Sequence, residues 1–380
     1  MKTEQLIITD KNKFAQGIAQ LQAAAFDLHF IFADKSYFED AALNEKIKTT
    51  FKGSMVAGCS TSGEIHGTSL NENTFSITSV KFDHTPLKKV SYVIESSEDS
   101  FKAGVFLANA LKQDDLRHVF ILSDGLFVNG TELLDGMNSV FDKTVNISGG
   151  LAGDNVAFVK TFVADNDNHF ISHCVAAIGF YGHHITSECG SFGGWDSFGI
   201  DRRVTKSKSN LVYEIDNQPA LDLYKSYLGE KAAELPGSAF YFPLEMRENE
   251  FSEPLVRTIL GISEAEKSIT FAGNVPENSY VRLMKTNVNR VIEGANKSAQ
   301  IIKGNIVTDP DLVILISCVG RKIVLKQLTQ DEVEAVTENF SENTPFAGFY
   351  SNGEISKMKF VESCKLHNQT MTITAFSEKQ

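Results

Sequence analysis

Three stretches of the chain run through helical and extended hydrophobic patterns in the same order. In the first, Phe14, Ile18, Leu21 and Ala25 recur at helical spacing, which predicts an amphipathic helix over 11–25. An apolar strand at 29–34 follows, then a second helix, then a strand-like run over 55–65 that ends in Gly63-Glu64-Ile65. The second stretch predicts a helix over 99–111, a strand over 118–124, a helix opening at Asn129 with Glu132 in its first turn, and a run over 145–154 ending in Gly153-Asp154. The third predicts a helix over 288–302, a strand over 312–318, a helix capped by Thr329 with Glu332 at the capping-box position, and a run over 346–355 containing Gly353-Glu354. Asp34 and Glu64 are 30 residues apart, Asp124 and Asp154 are 30 apart, and Cys318 and Glu354 are 36 apart. The chain therefore reads as one unit used three times.

Continuous apolar strands between helices imply sheets buried on both faces and at least partly parallel. Alternating runs at 74–80 and 370–376 suit antiparallel additions, and the middle unit offers strands at 158–163 and 174–180 around a turn at 165–168. The expected fold is α/β: repeated helix–strand–helix–strand units forming mixed, partly parallel sheets, in two domains. The stretch 190–285 fits no unit. It carries Gly190, Gly193, Gly194 and Gly199, a helix over 219–228, and strand candidates at 240–242 and 280–284. A boundary within 182–200 divides the chain into 1–190 and 191–380.

Charge and composition narrow the classes. Of 380 residues, 42% are hydrophobic and 22% charged, which are globular values, and the net charge of −12 has its two signs interleaved. A nucleic-acid groove needs a basic stripe to neutralise phosphates, and the sequence has none. No apolar run approaches ~18 residues, so no membrane span is expected. The N-terminus lacks a signal-peptide pattern, and the five cysteines are scattered, which reads as reduced thiols in a cytoplasmic protein.

The glycine turns Gly58-Cys59-Ser60-Thr61-Ser62-Gly63-Glu64-Ile65 and Gly149-Gly150-Leu151-Ala152-Gly153-Asp154 resemble signature turns of the FIST N-terminal domain. Tyr213–Ala220 is similar to the opening of the FIST C-terminal domain, and Phe271–Pro276, Ser317–Arg321, Pro345–Tyr350 and His367–Met371 continue it in order. The resemblance implies a small-ligand sensor, not an enzyme, that acts in signal transduction. One branch of the family binds haem b, senses nitric oxide and regulates a histidine kinase in trans. The resemblance leaves open an amino acid or other metabolite as ligand, and a ligand-free scaffold.

Glycine-rich turns at strand ends either relieve backbone strain or line a ligand crevice. On the second reading Gly63, Glu64, Asp154 and Glu354 are the ligand-binding candidates, in a cleft where the N-terminal repeat pair meets the C-terminal half. A nucleophile elbow at Ser60 fails because position 62 is serine, and apolar neighbours make Cys59 a buried thiol. His169 and His173 share a face but lack further ligands, so a zinc site is not expected. His183 and His184 are the metal-ligand candidates, for haem, with Tyr181, Phe192, Trp195 and Phe198 as apolar wall and Arg202 and Arg203 for propionates. His66 and His29 are rivals. No dinucleotide or phosphate loop occurs.

Overall fold

A computed structural model describes residues 1–21, 23–357 and 363–379. Its largest part is three six-stranded sheets of one plan. The first runs Lys2–Ile8, Phe75–Lys81, Leu28–Ala33, Met55–Ser60; the second Leu87–Val93, Cys174–Tyr181, Leu116–Ser123, Asn146–Leu151; the third Ile185–Phe192, Met371–Glu378, Leu312–Cys318, Phe346–Ser351. In each, the last two strands are parallel and the others antiparallel. The parallel strands are the near-continuous apolar runs of the sequence, as strands covered on both faces must be.

Each sheet is then completed by a hairpin from the next unit. Val163–Ala164 with Phe170–Ile171 extends the first sheet, Gly353–Lys357 with Cys364–His367 the second, and Glu64–His66 with Ser69–Asn71 the third. The exchange is cyclic, so the three units close into a pseudo-threefold ring. Backbone hydrogen bonds repeat the symmetry at one end: Gly153 N–H donates to Ser60 O (2.9 Å), Asn352 to Leu151 (3.1 Å), and Ser62 to Tyr350 (2.8 Å). The inner sheet faces meet in an aromatic core, where Phe30 packs edge-on to Phe120 (5.3 Å) and Phe32 against Phe349 (4.7 Å).

Helices cover the outer faces. Ser100–Leu111 packs on Gly130–Asn138, and Val288–Lys303 on Thr329–Thr337. Asn129 caps its helix as expected, accepting from Thr131 and Glu132 N–H. Other expectations fail for local reasons. The helix over 11–25 breaks into Phe14–Ile18 flanked by 3-10 turns at Lys11–Lys13 and Ala23–Ala25, with Gly17 held tight under Ile8. The strand at 158–163 shrinks to Val163–Ala164, because the Phe158, Val159 and Lys160 N–H groups are drawn onto Asp154. The candidate at 240–242 lies largely in a 3-10 turn, Gly237–Tyr241.

Between Phe192 and Val288 the chain leaves the ring and forms a lobe. An eight-stranded antiparallel sheet there wraps the helix Ala220–Leu228 around a separate apolar core. The long strand Asp196–Lys208 leads into it and Tyr280–Lys285 pairs with its start on the way out.

Candidate functional site

The glycine turns do converge at the carboxyl ends of the three parallel pairs, where ligands of open α/β sheets bind. Their side chains, however, point elsewhere. Glu64 is enclosed: it accepts from Thr61 Oγ1 (2.5 Å), Thr74 Oγ1 (2.7 Å) and Thr74 N–H (3.1 Å). Glu354 has the same cage from Ser351 Oγ (2.8 Å), Thr370 Oγ1 (2.8 Å) and Thr370 N–H (3.1 Å). Burial outweighs these donors and pushes Glu64 up to about 7 and Glu354 up to about 8. The two cages are one device in symmetry-related places, fastening each exchanged hairpin to the residue just ahead of its own unit's returning strand.

Asp154 does a third job. It accepts from the Phe158, Val159 and Lys160 N–H groups (2.9, 2.7 and 2.9 Å) and pairs with Lys35 at 3.4 Å, so it organises a loop. Gly63 adopts φ +136°, and a Cβ there would meet Leu70 and Lys322 Nζ at 3.1 and 3.3 Å. Gly63 and Asp154 thus share one end of the ring, while the Glu64 and Glu354 carboxyls are spent inside it.

Haem does not fit the His183–His184 pair. Both rings are exposed on a turn, where His183 Nδ1 lies 2.6 Å from Arg117 and His184 packs against His84 at 4.8 Å. Phe192 ends the strand Ile185–Phe192 and Trp195 lies past it, roughly 25 Å of extended chain away, so they build no wall beside these rings. The rivals are satisfied: His29 Nδ1 is 2.8 Å from Ser79 Oγ, and His66 Nδ1 is 2.9 Å from Ser76 Oγ. Arg203 reaches Asn278 and Arg202 lies in the lobe.

Sequence reasoning missed the pocket. A cavity of about 150 Å³ opens in the lobe between the helix Ala220–Leu228 and the sheet, walled by Phe198, Leu223, Tyr224, Leu244, Val281 and Leu283. One wall is a bulge. Phe198 pairs with Leu283 and Arg202 with Val281, so a four-residue step on one strand faces a two-residue step on the other. Asp201, inside the bulge, accepts from Arg282 Nε (2.8 Å) and Arg247 Nη2 (2.5 Å), and Ile200 is left 65% exposed at the rim. Bulges of this kind re-aim side chains at sites. Gly199, with φ +80° and no neighbour, was the sequence signal for it.

The bulged strand starts at a locked joint. Arg321, fully buried, donates Nε to Glu332 (2.7 Å), Nη2 to Val291 O (2.7 Å), and Nη1 to Gly193 O and Gln369 O. Trp195 Nε1 donates to the same Gln369 carbonyl at 2.8 Å. Gly194 (φ +82°) passes so close to the helix Val288–Lys303 that a Cβ would lie 2.0 Å from Arg290 O.

Residues 27–218 match the FIST N domain family and residues 220–357 the FIST C domain family. An uncharacterized protein of Methanocaldococcus jannaschii is 25% identical over 234 residues, 58% of this chain and 44% of that protein, so the match spans less than half of the relative's length. The solved structure of a cyanuric acid hydrolase from A. caulinodans aligns with 100% of this chain and 99% of its own, at 7% identity and a TM-score of 0.37, too slight a likeness to bear on chemistry. No helix among the described residues is long and apolar enough to cross a membrane.

Proposed function

The chain belongs to the FIST family, whose proposed role is small-ligand sensing in signal transduction, and from that premise we propose that it is a non-catalytic sensor whose ligand enters the lobe pocket. The observation that carries this reading is the shared strand. Asp196–Lys208 forms the bulged wall of the pocket and begins at the joint that Arg321 locks to the ring. A ligand that prefers one shape of the bulge shifts the population of lobe positions by its differential affinity, and a partner docked across lobe and ring reads that shift. A cytoplasmic histidine kinase acting in trans would be such a partner. A haem version is not proposed, because neither the exposed histidine pair nor a cavity of about 150 Å³ suits a porphyrin.

Cys59 and Ser60, the nucleophile candidates of the first glycine turn, are committed to the fold. Burial pushes the Cys59 thiol well up, and Ser60 Oγ is held as the acceptor of Phe162 N–H at 2.9 Å. Leu223→Trp, which fills the pocket from its helix side, tests the proposal. A small-molecule screen by thermal shift should find stabilising ligands for the wild type, and the variant should fold and lose them. Ligands that stabilise both proteins equally would place the site elsewhere and defeat the proposal.

A further inference from the structure

The pocket's chemistry narrows what enters it. Its lining is apolar apart from the polar ends of Arg202, Tyr224 and Tyr227, and the Tyr224 hydroxyl is already committed to Phe242 O at 2.7 Å. Arg202 stands at the mouth, where its side chain is 31% exposed. Nε donates to Tyr227 Oη (2.8 Å) and Nη1 to Asp216 (2.9 Å), which fixes the guanidinium plane and leaves Nη2 without a protein partner among the described residues. No acidic side chain lines the cavity. A ligand ammonium would therefore be buried against carbon, whereas a carboxylate would meet the remaining Nη2 of a pre-oriented guanidinium.

Size sets the rest. A cavity of about 150 Å³ is the volume that accepts a benzene-sized group, so the buried body has about six carbons or fewer. Tyr227, 41% exposed, and Ile200 extend the apolar contact to the rim. Resting on the reading that this pocket is the sensory site, we infer that its ligand is a small monocarboxylate with a compact apolar body and no α-ammonium group: a branched short-chain or aromatic carboxylate. The body fills the space between Leu223, Val281 and Leu283, and the carboxylate takes Nη2 of Arg202, sharing the guanidinium's charge with Asp216 on Nη1. Moving Arg202 relative to Asp216 strains the backbone just past the bulge, because Asp216 also accepts from Arg203 N–H at 2.9 Å.

Titration calorimetry on the full chain with four probes separates the possibilities: benzoate, 3-methylbutanoate, 3-methylbutanol without the charge, and leucine with an added ammonium. The two carboxylates should bind, and the alcohol and leucine should be weaker by about tenfold or more. Asp216→Asn removes the competing anion and should tighten carboxylate binding while leaving the alcohol unchanged, a difference that a purely structural role for Arg202 would not produce. Arg202→Met should abolish the preference for carboxylate over alcohol. If the alcohol binds as well as the carboxylates, or Asp216→Asn leaves their ratio unchanged, the ligand class is wrong while the pocket stands. If no probe binds the wild type the ligand class is wrong; if Leu223→Trp leaves the binding of a probe intact, the pocket reading falls with it.

Discussion

A carboxyl group sealed from water favours its neutral form unless donors surround the charge, and in Glu354 the two effects compete directly. Three donors hold it, yet burial prevails and its pKa is pushed up to about 8, with Glu64 up to about 7. A folded pKa above the unfolded value means stability that is full below pH 4.5 and is lost as pH rises through about 8. The buried histidines work the other way: burial lowers His29 to about 4 and His118 to about 3, so their contribution is lost only as pH falls below 6.5. From pH 6.5 to about 8 the two glutamates therefore set the slope; above that Lys89, lowered to about 8 by burial, begins to work against them. Wild type should lose about 2 kcal/mol between pH 6.5 and 8.5 through Glu354. Glu354→Gln, which mimics the neutral acid and keeps all three contacts, should flatten that slope in urea titrations at a series of pH values; an unchanged slope would refute the assignment. The spacing of the glycine turns made these carboxylates legible as special positions. It could not make them legible as fasteners, because the threonine ahead of each returning strand, Thr74 or Thr370, lies 10 or 16 residues further on and reaches the carboxylate only once the hairpin has crossed to another sheet.

Elements are joined to one another by groups that no local pattern announces. Thr329 and Glu332 have capping-box spacing, but Thr329 Oγ1 turns back to Lys326 O and Glu332 is drawn inward to Arg321 Nε and Ser317 Oγ. A buried cation outcompetes a backbone N–H for that carboxylate because the charged hydrogen bond is the stronger one. Glu332→Gln leaves Arg321 buried without a counter-charge, so the urea midpoint should fall by the equivalent of about 3–5 kcal/mol. A loss well under 1 kcal/mol would mean that the backbone carbonyls alone satisfy the guanidinium. The elements that were legible are those whose own sequence decides them: Leu312–Cys318, buried at every residue, and the long amphipathic helix Val288–Lys303. Those missed are the leading strands Lys2–Ile8, Leu87–Val93 and Ile185–Phe192, whose half-exposed residues carry no strong period and which are strands only because a neighbour offers an edge. The same weakness hid the lobe pocket: Gly199 hints at a bulge, but a bulge is a mismatch between two strands, and one strand alone does not show what it faces.

At the scale of the whole molecule the cyclic hairpin exchange makes the three units mutually dependent. The first unit's hairpin Glu64–Asn71 completes the third sheet, and the second sheet is completed by Gly353–Lys357 and Cys364–His367. Residues 1–190 alone would leave one hairpin with no sheet to join and the edge of Asn146–Leu151 uncovered. They would also expose Phe32, which packs on Phe349, and Phe180, which shares a stacked contact with Phe376 at 5.1 Å. An open strand edge beside exposed aromatics is an aggregation site. The fragment 1–190 should therefore be insoluble or molten when expressed by itself, and should recover native circular dichroism and a cooperative thermal transition when co-expressed with 191–380. Cooperative folding of 1–190 on its own would show that the units close without exchange. The lobe behaves differently in principle, because its apolar core is its own, and it meets the ring through the two strands at Asp196 and Lys285, the Arg321 joint, and polar contacts such as those of Asn274 with Asn129 and Glu132 (2.8 and 2.6 Å) and of Arg257 Nη1 with Leu366 O (3.1 Å). Hydrogen exchange should then show lobe amides opening at lower free energy than the ring strands, and ligand in the pocket should slow the lobe first. Equal protection across lobe and ring, unchanged by ligand, would remove the separable motion on which the sensing mechanism depends.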